Sequence, residues 1–232
     1  MAQRTSLLIG EDGIEKLRKS SVIQIGCGAV GGYSLEGLVR AGIGRIRVVD
    51  HDVFSGSNLN RQILATTDTV GRVKVEVACE RARSINPDIE IEGMDVLVSE
   101  DTIPDILSGD YDVVVDAIDT LRNKTALLRY CAENGIRVFS SMGAALHIDA
   151  QAVRVAPLRK TNTCPLAASI RKSLKDLDTS MITAVYSEEP PLVKPTDRDD
   201  HGKSILGSMP TVPAIFGMTL ANETIRYIVE KE

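Results

Sequence analysis

Val22-Ile23-Gln24-Ile25-Gly26-Cys27-Gly28-Ala29-Val30-Gly31 decides the fold of this chain. A short, largely β-branched run ends in glycines at 26, 28 and 31, and a stretch with helical spacing, residues 30–41, follows at once. Glycines in that order allow a tight turn between strand and helix. They also let backbone N–H groups approach a phosphate at the positive end of the helix. Asp50 ends the next predicted strand, residues 46–50, and a carboxylate about 20 residues past such a turn accepts hydrogen bonds from a ribose. Turn, helix and acid together specify a nucleotide, with NAD as the default occupant.

Working outward, short apolar runs alternate with amphipathic stretches through the first 140 residues, the pattern of a parallel sheet covered by helices. Strands are predicted over 22–26, 46–50, 89–95, 113–116 and 138–140, and helices over 30–41, 73–85, 102–107 and 121–134. Further strands at 152–155 and 182–186 flank a helix that starts at Pro165 and runs to about residue 176. A last helix is predicted over 213–229. The expected fold is therefore a Rossmann-like, doubly wound α/β fold: a mainly parallel sheet with helices on both faces and extra C-terminal strands. All 232 residues are expected to form one domain, with a nucleotide-binding part over about 1–145 and a substrate-binding part over about 146–232. Residues 187–208, rich in Pro, Asp, Lys and Gly, are long for a connection and read as a lid or binding loop.

Bulk properties exclude several classes. No apolar run approaches the roughly 18 residues that span a bilayer, and the N-terminus lacks a signal-peptide pattern, so a cytoplasmic location is expected. Cys27, Cys79, Cys131 and Cys164 have no C-x-x-C spacing, which argues against a four-thiolate zinc site. Cys79 and Cys131 fall on apolar helix faces, Cys27 is expected beneath the glycine turn, and Cys164 is expected at a helix start. The net charge of −5 argues against a nucleic-acid partner, but the average hides an asymmetry. Residues 84–121 contain no base, whereas residues 150–175 contain Arg154, Arg159, Lys160, Arg171, Lys172 and Lys175 and no acid. That sector suits an RNA backbone, or equally a solvated helix and loop.

The residues after Asp50 separate ATP chemistry from hydride transfer. Asp52, Asn58, Arg61, Gln62 and Lys74 follow in order, and Asp119 lies just past the fourth predicted strand. Hydride transfer has little need of cations beyond the glycine turn. Splitting a triphosphate between its α and β phosphates instead develops charge on the leaving pyrophosphate, which Arg, Lys and a metal ion stabilise. Asp119 stands at the carboxyl edge of the sheet, where ligands of such folds bind, and suits a Mg2+ anchor.

Gly26-Cys27-Gly28-Ala29-Val30-Gly31, then Asp50-His51-Asp52-Val53-Phe54-Ser55-Gly56-Ser57-Asn58-Leu59-Asn60-Arg61-Gln62, then Val70-Gly71-Arg72-Val73-Lys74, then Asp116-Ala117-Ile118-Asp119 resemble the E1-like, ThiF-type adenylating superfamily over the first 145 residues. The resemblance implies that Asp50 holds the ribose, that Asn58, Arg61 and Lys74 hold the phosphates, and that Asp119 holds magnesium. It implies a homodimer in which Arg4 enters the partner's site, and a monovalent cation, Na+ or K+, beside ATP and Mg2+. Ala29 departs from the family, which has a third adjacent glycine there. The segments Val155-Ala156-Pro157-Leu158-Arg159-Lys160-Thr161-Asn162-Thr163-Cys164-Pro165 and Ala184-Val185-Tyr186-Ser187-Glu188-Glu189-Pro190 are similar to one branch, the tRNA threonylcarbamoyladenosine dehydratases. That branch implies ATP-dependent cyclisation of the threonylcarbamoyl group on the adenosine beside a tRNA anticodon, through an adenylated carboxylate. A sulfur-transfer partner and an acceptor role for Cys164 stay open. So do two other readings: an adenylyltransferase for the C-terminal glycine of a ubiquitin-like sulfur carrier, and a nucleotide-sensing binding protein without turnover.

Overall fold

A computed structural model describes residues 2–193, 198 and 206–231; residues 194–197 and 199–205 of the predicted 187–208 loop lie outside the described residues. Among the described residues seven strands form one sheet: β1 (Ser21–Ile25), β2 (Arg45–Asp50), β3 (Glu90–Asp95), β4 (Val113–Asp116), β5 (Val138–Ser141), β6 (Val153–Pro157) and β7 (Ile182–Ser187). Their order is β3-β2-β1-β4-β5-β7-β6, parallel throughout except for β6 against β7. The expected α/β fold with extra C-terminal strands is what forms.

Seven helices accompany the strands: α1 (Gln3–Lys19), α2 (Gly31–Ala41), α3 (Lys74–Ile85), α4 (Ile103–Ile106), α5 (Leu121–Glu133), α6 (Pro165–Ser173) and α7 (Thr211–Glu230). The central strands are short β-branched runs because both faces are covered. Val22, Val113 and Val115 point into a core with α2, α3 and α7, while Ile23, Ile25 and Val114 point into a second core with α4, α5 and α6. The chain leaves β1 toward β2 and β3, then returns to lay β4 on the other flank of β1. That reversal opens a crevice at the carboxyl ends of β1 and β4, the usual ligand position in such sheets.

Two features depart from expectation. α1 was not predicted, because Gly10 and Gly13 interrupt its pattern. Gly10 adopts φ +73° and kinks the helix; its second half buries Ile14 and Leu17 in the core, with Ile9 of the first half packed against that core's edge. The first half leaves Leu7 and Leu8 83% and 85% exposed. Second, α7 belongs to the core that it shares with α2 and α3. It crosses α2 so closely that a Cβ on Gly37 would lie 2.7 Å from that of Ala221, and one on Gly217 would lie 2.3 Å from the Val30 carbonyl oxygen.

α2 is also strutted to α3. The Glu36 carboxylate, 6% exposed, accepts hydrogen bonds from Arg40 at 2.6 and 2.8 Å and from Arg81 at 2.8 and 3.0 Å. Burial pushes this carboxyl up, and the Arg81 and Arg40 guanidiniums outweigh it, holding it below the ordinary carboxylate value. A depressed folded-state value stabilises above the unfolded pKa and ceases to do so as pH falls through the folded one. Glu36→Gln should therefore cost about 2 kcal/mol at neutral pH. The gap from wild type should close below the carboxylate range, as read by urea denaturation at the two pH values.

Candidate nucleotide site

The glycine turn is built by side chains beneath it. Gly26 takes φ +90° and donates its N–H to the Val49 carbonyl at 2.7 Å, and a Cβ there would lie 2.9 Å from the Ala117 carbonyl oxygen. Asp50, at the end of β2, accepts the Cys27 N–H at 2.7 Å on one oxygen and the Asp52 N–H at 2.9 Å on the other. Below, the fully buried Gln24 donates to the Gly26 carbonyl at 3.0 Å and accepts from the Ser34 hydroxyl at 2.6 Å, tying the turn to α2. Gln24 was not anticipated, although a lone amide in an otherwise apolar strand was a legible signal.

Gly28 differs from its neighbours. A Cβ at Gly31 would lie 1.9 Å from the Gly26 carbonyl oxygen, so that glycine is demanded by the fold. A Cβ at Gly28 would meet nothing closer than Gln62 at 3.8 Å, so no packing demands that glycine. Gln62 itself is 8% exposed, and its side-chain carbonyl oxygen is buried with no hydrogen-bond partner. The open backbone is a cradle that a phosphate-bearing ligand fits, and the unsatisfied Gln62 oxygen calls for a donor such as a hydroxyl or amino group beside it. Ala29 and Val30 complete the turn, both half-buried.

Lys74 reaches the same region through a stapled excursion of the chain. Val53 and Val73 form an antiparallel bridge, the Lys74 N–H bonds the Asp52 carbonyl, and residues 55–70 loop out between them. The bridge brings the first residue of α3 to the end of β2. The Lys74 ammonium, 5% exposed, pairs with Asp52 at 2.8 Å and lies 5.9 Å from the centre of the Phe54 ring. Arg61, on the loop, donates to the Ser57 carbonyl at 2.8 Å and the Asn60 side chain at 2.7 Å. Asn58 is occupied in capping, its oxygen accepting the Ser55 N–H at 3.0 Å. His51 lies 3.5 Å from Asp52. Asp50, His51 and Asp52 could all offer an atom to one cation, but Asp50 and Asp52 are already committed to the turn and to Lys74.

The loop after β4 forms the facing wall. Asp119 is exposed three residues beyond the strand, a carboxylate of the hard-oxygen type that Mg2+ takes. Beneath it Asp116, fully buried, accepts hydrogen bonds from Lys124 at 2.5 Å, Ser140 at 2.6 Å and the Ile118 N–H at 3.0 Å. None of the three side chains was anticipated. The signal lay in α5, where Lys124, Leu127, Leu128 and Cys131 share one buried stripe, so that a lysine stands among apolar residues at helical spacing.

Arg4 is exposed on the projecting half of α1 and has no partner among the described residues of its own chain. Three arginines of the basic run have partners within the fold. Arg159 donates to the carbonyls of Leu174, Lys175 and Leu177, satisfying the end of α6, and Arg171 donates to Thr161. Arg154 pairs with Glu188, and Arg154, Arg159, Lys160, Lys172 and Lys175 are all exposed on that surface. Cys79 and Cys131 are core residues as expected, and Cys27 packs under the turn. Burial, followed by the Asp50 charge, pushes the Cys27 thiol up, and burial pushes Cys131 up to about 12. Cys164 stands immediately before α6, 3% exposed, 3.7 Å from where a Cβ on Gly143 would sit. No helix among the described residues is long and apolar enough to cross a membrane.

Comparison with known proteins agrees with this geometry. The tRNA threonylcarbamoyladenosine dehydratase of Bacillus subtilis is 34% identical over 233 residues, covering 96% of this chain and 92% of that protein. The crystal structure of the Escherichia coli tRNA N6-threonylcarbamoyladenosine dehydratase in complex with ATP superposes with a TM-score of 0.89 at 33% identity, over 98% of this chain and 93% of that one. A sulfur carrier protein adenylyltransferase from Thermus thermophilus is 41% identical but only over 111 residues, 48% of this chain. The ThiF family model matches residues 2–232, and the chain belongs to the ThiF family.

Proposed function

We propose that this chain is an ATP-dependent dehydratase that cyclises N6-threonylcarbamoyladenosine beside the anticodon of tRNA by adenylating the threonyl carboxylate. The observation that carries this reading is the extent of the likeness: it runs through the β6–β7 extension, whereas the sulfur-carrier likeness covers about half of the chain. Residues 1–145 are proposed to bind the nucleotide, and residues 146–232, including the 187–208 loop, the acceptor.

A carboxylate is a poor electrophile because its leaving group would be oxide. Transfer of the adenylyl group to it, with loss of pyrophosphate, supplies a leaving group, and the neighbouring carbamoyl group then closes the ring and expels AMP. Holding both groups on one nucleoside makes the second step effectively unimolecular. In the proposed roles Gly26 shapes the turn, the amides at Gly28, Ala29 and Gly31 face the phosphates, and Asp50 takes the ribose. Asn58, Gln62, Arg61 and Lys74 surround the departing pyrophosphate, with Asp52 setting the position of Lys74. Mg2+, held by Asp119, would neutralise phosphate charge, and a monovalent cation is proposed beside it. Ring closure consumes no sulfur and needs no enzyme thiol, so neither a sulfur-transfer protein nor Cys164 is required by this chemistry. A cytoplasmic location is proposed, since a tRNA acceptor is met there.

A second copy is proposed to complete the site. The kink at Gly10 projects Leu7, Leu8 and Arg4 away from their own core, an apolar arm that suits burial against a partner. The test is nucleoside mass spectrometry of tRNA carrying threonylcarbamoyladenosine after incubation with the protein, ATP and MgCl2. Loss of one water is expected, with AMP and pyrophosphate released in equal amounts. Arg4→Ala and Lys74→Met chains should each be inactive alone and regain part of the activity when mixed. AMP formation that depends instead on a small carrier protein would favour the sulfur-carrier reading.

A further inference from the structure

Lys124 is buried to 0% exposure directly beneath the crevice, and the reading above gives it no task. A buried ion pair is poor value as a stabiliser: desolvation offsets its attraction, and apolar replacements of equal size are often neutral or better. Burial draws the Lys124 ammonium below the ordinary lysine value while Asp116 opposes the shift. What the pair does hold is geometry. Asp116 receives Lys124 and Ser140 on one oxygen and the Ile118 N–H on the other, so the carboxylate joins α5, β5 and the segment entering Asp119. The same segment is fastened to the glycine turn, because the Ala117 N–H bonds the Ile25 carbonyl at 2.8 Å and the Ala117 carbonyl abuts Gly26. The Lys124 ammonium also lies close enough to Asp119 for that carboxylate's charge to act on it.

We propose that Lys124 is a positioning residue for the magnesium carboxylate: by clamping Asp116 it fixes the Ile118–Asp119 backbone beside the glycine turn. The inference rests on the assignment of Asp119 to magnesium. Partners that orient a ligating group from behind it change metal affinity by about 10- to 100-fold when removed.

Lys124→Met alone leaves a buried uncompensated carboxylate and is expected to fold poorly, so the informative variant is Lys124→Met with Asp116→Asn. This pair removes both charges, keeps the volume, and retains an acceptor for the Ile118 N–H. ATP binding is measured by calorimetry in EDTA and then at rising MgCl2. The expected result is an affinity for ATP in EDTA within about twofold of wild type, with half-saturating Mg2+ raised about tenfold or more. A folded double variant with the wild-type Mg2+ midpoint overturns the role of Lys124. Wild-type protein whose ATP affinity ignores Mg2+ overturns the Asp119 assignment, and this inference with it.

Discussion

Replacing Lys74 with methionine is expected to lower AMP release from ATP, in the presence of modified tRNA, by two to three orders of magnitude, or about 3–4 kcal/mol of transition-state stabilisation. Lys74 is 5% exposed at the junction of β2 and α3, so its charge acts through little water and counts for more than a surface lysine would. Methionine has nearly the same length and fits against Phe54. The Asp52 side chain is 52% exposed to water and keeps His51 at 3.5 Å, so the lost ion pair should cost under about 1 kcal/mol of stability. The thermal midpoint should stay close to wild type while turnover collapses. Rapid-quench measurement of a single turnover separates loss of chemistry from loss of ATP affinity. A folded variant within about tenfold of wild-type turnover would remove Lys74 from the pyrophosphate site.

The glycine turn yields the second large effect, and its sign depends on which glycine is changed. Gly31→Ala drives a methyl into the Gly26 carbonyl oxygen, 1.9 Å from the Cβ position, in a segment that Gln24, Ser34 and Asp50 hold in place. With no flexible side chain to yield, more than about 4 kcal/mol of stability should be lost, enough to leave much of the protein unfolded. Gly28→Ala adds the same methyl to open space beside Gln62. Its urea midpoint should move by no more than about 0.5 kcal/mol, while ATP affinity falls about tenfold because the phosphates lose close approach to the backbone. Denaturation and nucleotide binding measured on both proteins test the contrast. Normal ATP binding by a folded Gly28→Ala variant would sink the cradle.

The periodic parts of this molecule were readable from its sequence, and the long-range polar parts were not. Every predicted strand formed within a residue or two, because covered β-branched runs bounded by turns have few alternatives. Helix 121–134 was found by its spacing, yet Lys124 within it was passed over, since a lysine reads as surface until Asp116 and Ser140 are brought to it by two other strands. The basic run shows the converse. Arg159 and Arg171 count as charges in a sequence, but the fold spends them on the Leu174, Lys175 and Leu177 carbonyls and on Thr161. α1 was missed because Gly10 and Gly13 break the helical pattern, and only tertiary contact at Ile14 and Leu17 restores it. The order of Asp50, Asn58, Arg61 and Lys74 was legible, whereas the staple at Val53 and Val73 that carries Lys74 inward was not.

The crossing of α7 over α2 has a consequence for synthesis. The wall supporting the helix of the glycine turn is made of Phe216, Leu220 and Ala221, all translated well after residue 145. A nascent chain that has completed its first 145 residues therefore exposes an apolar flank where that wall belongs. The glycine turn is therefore expected to set only once α7 has been made and docked, so that the two parts of the chain ripen together.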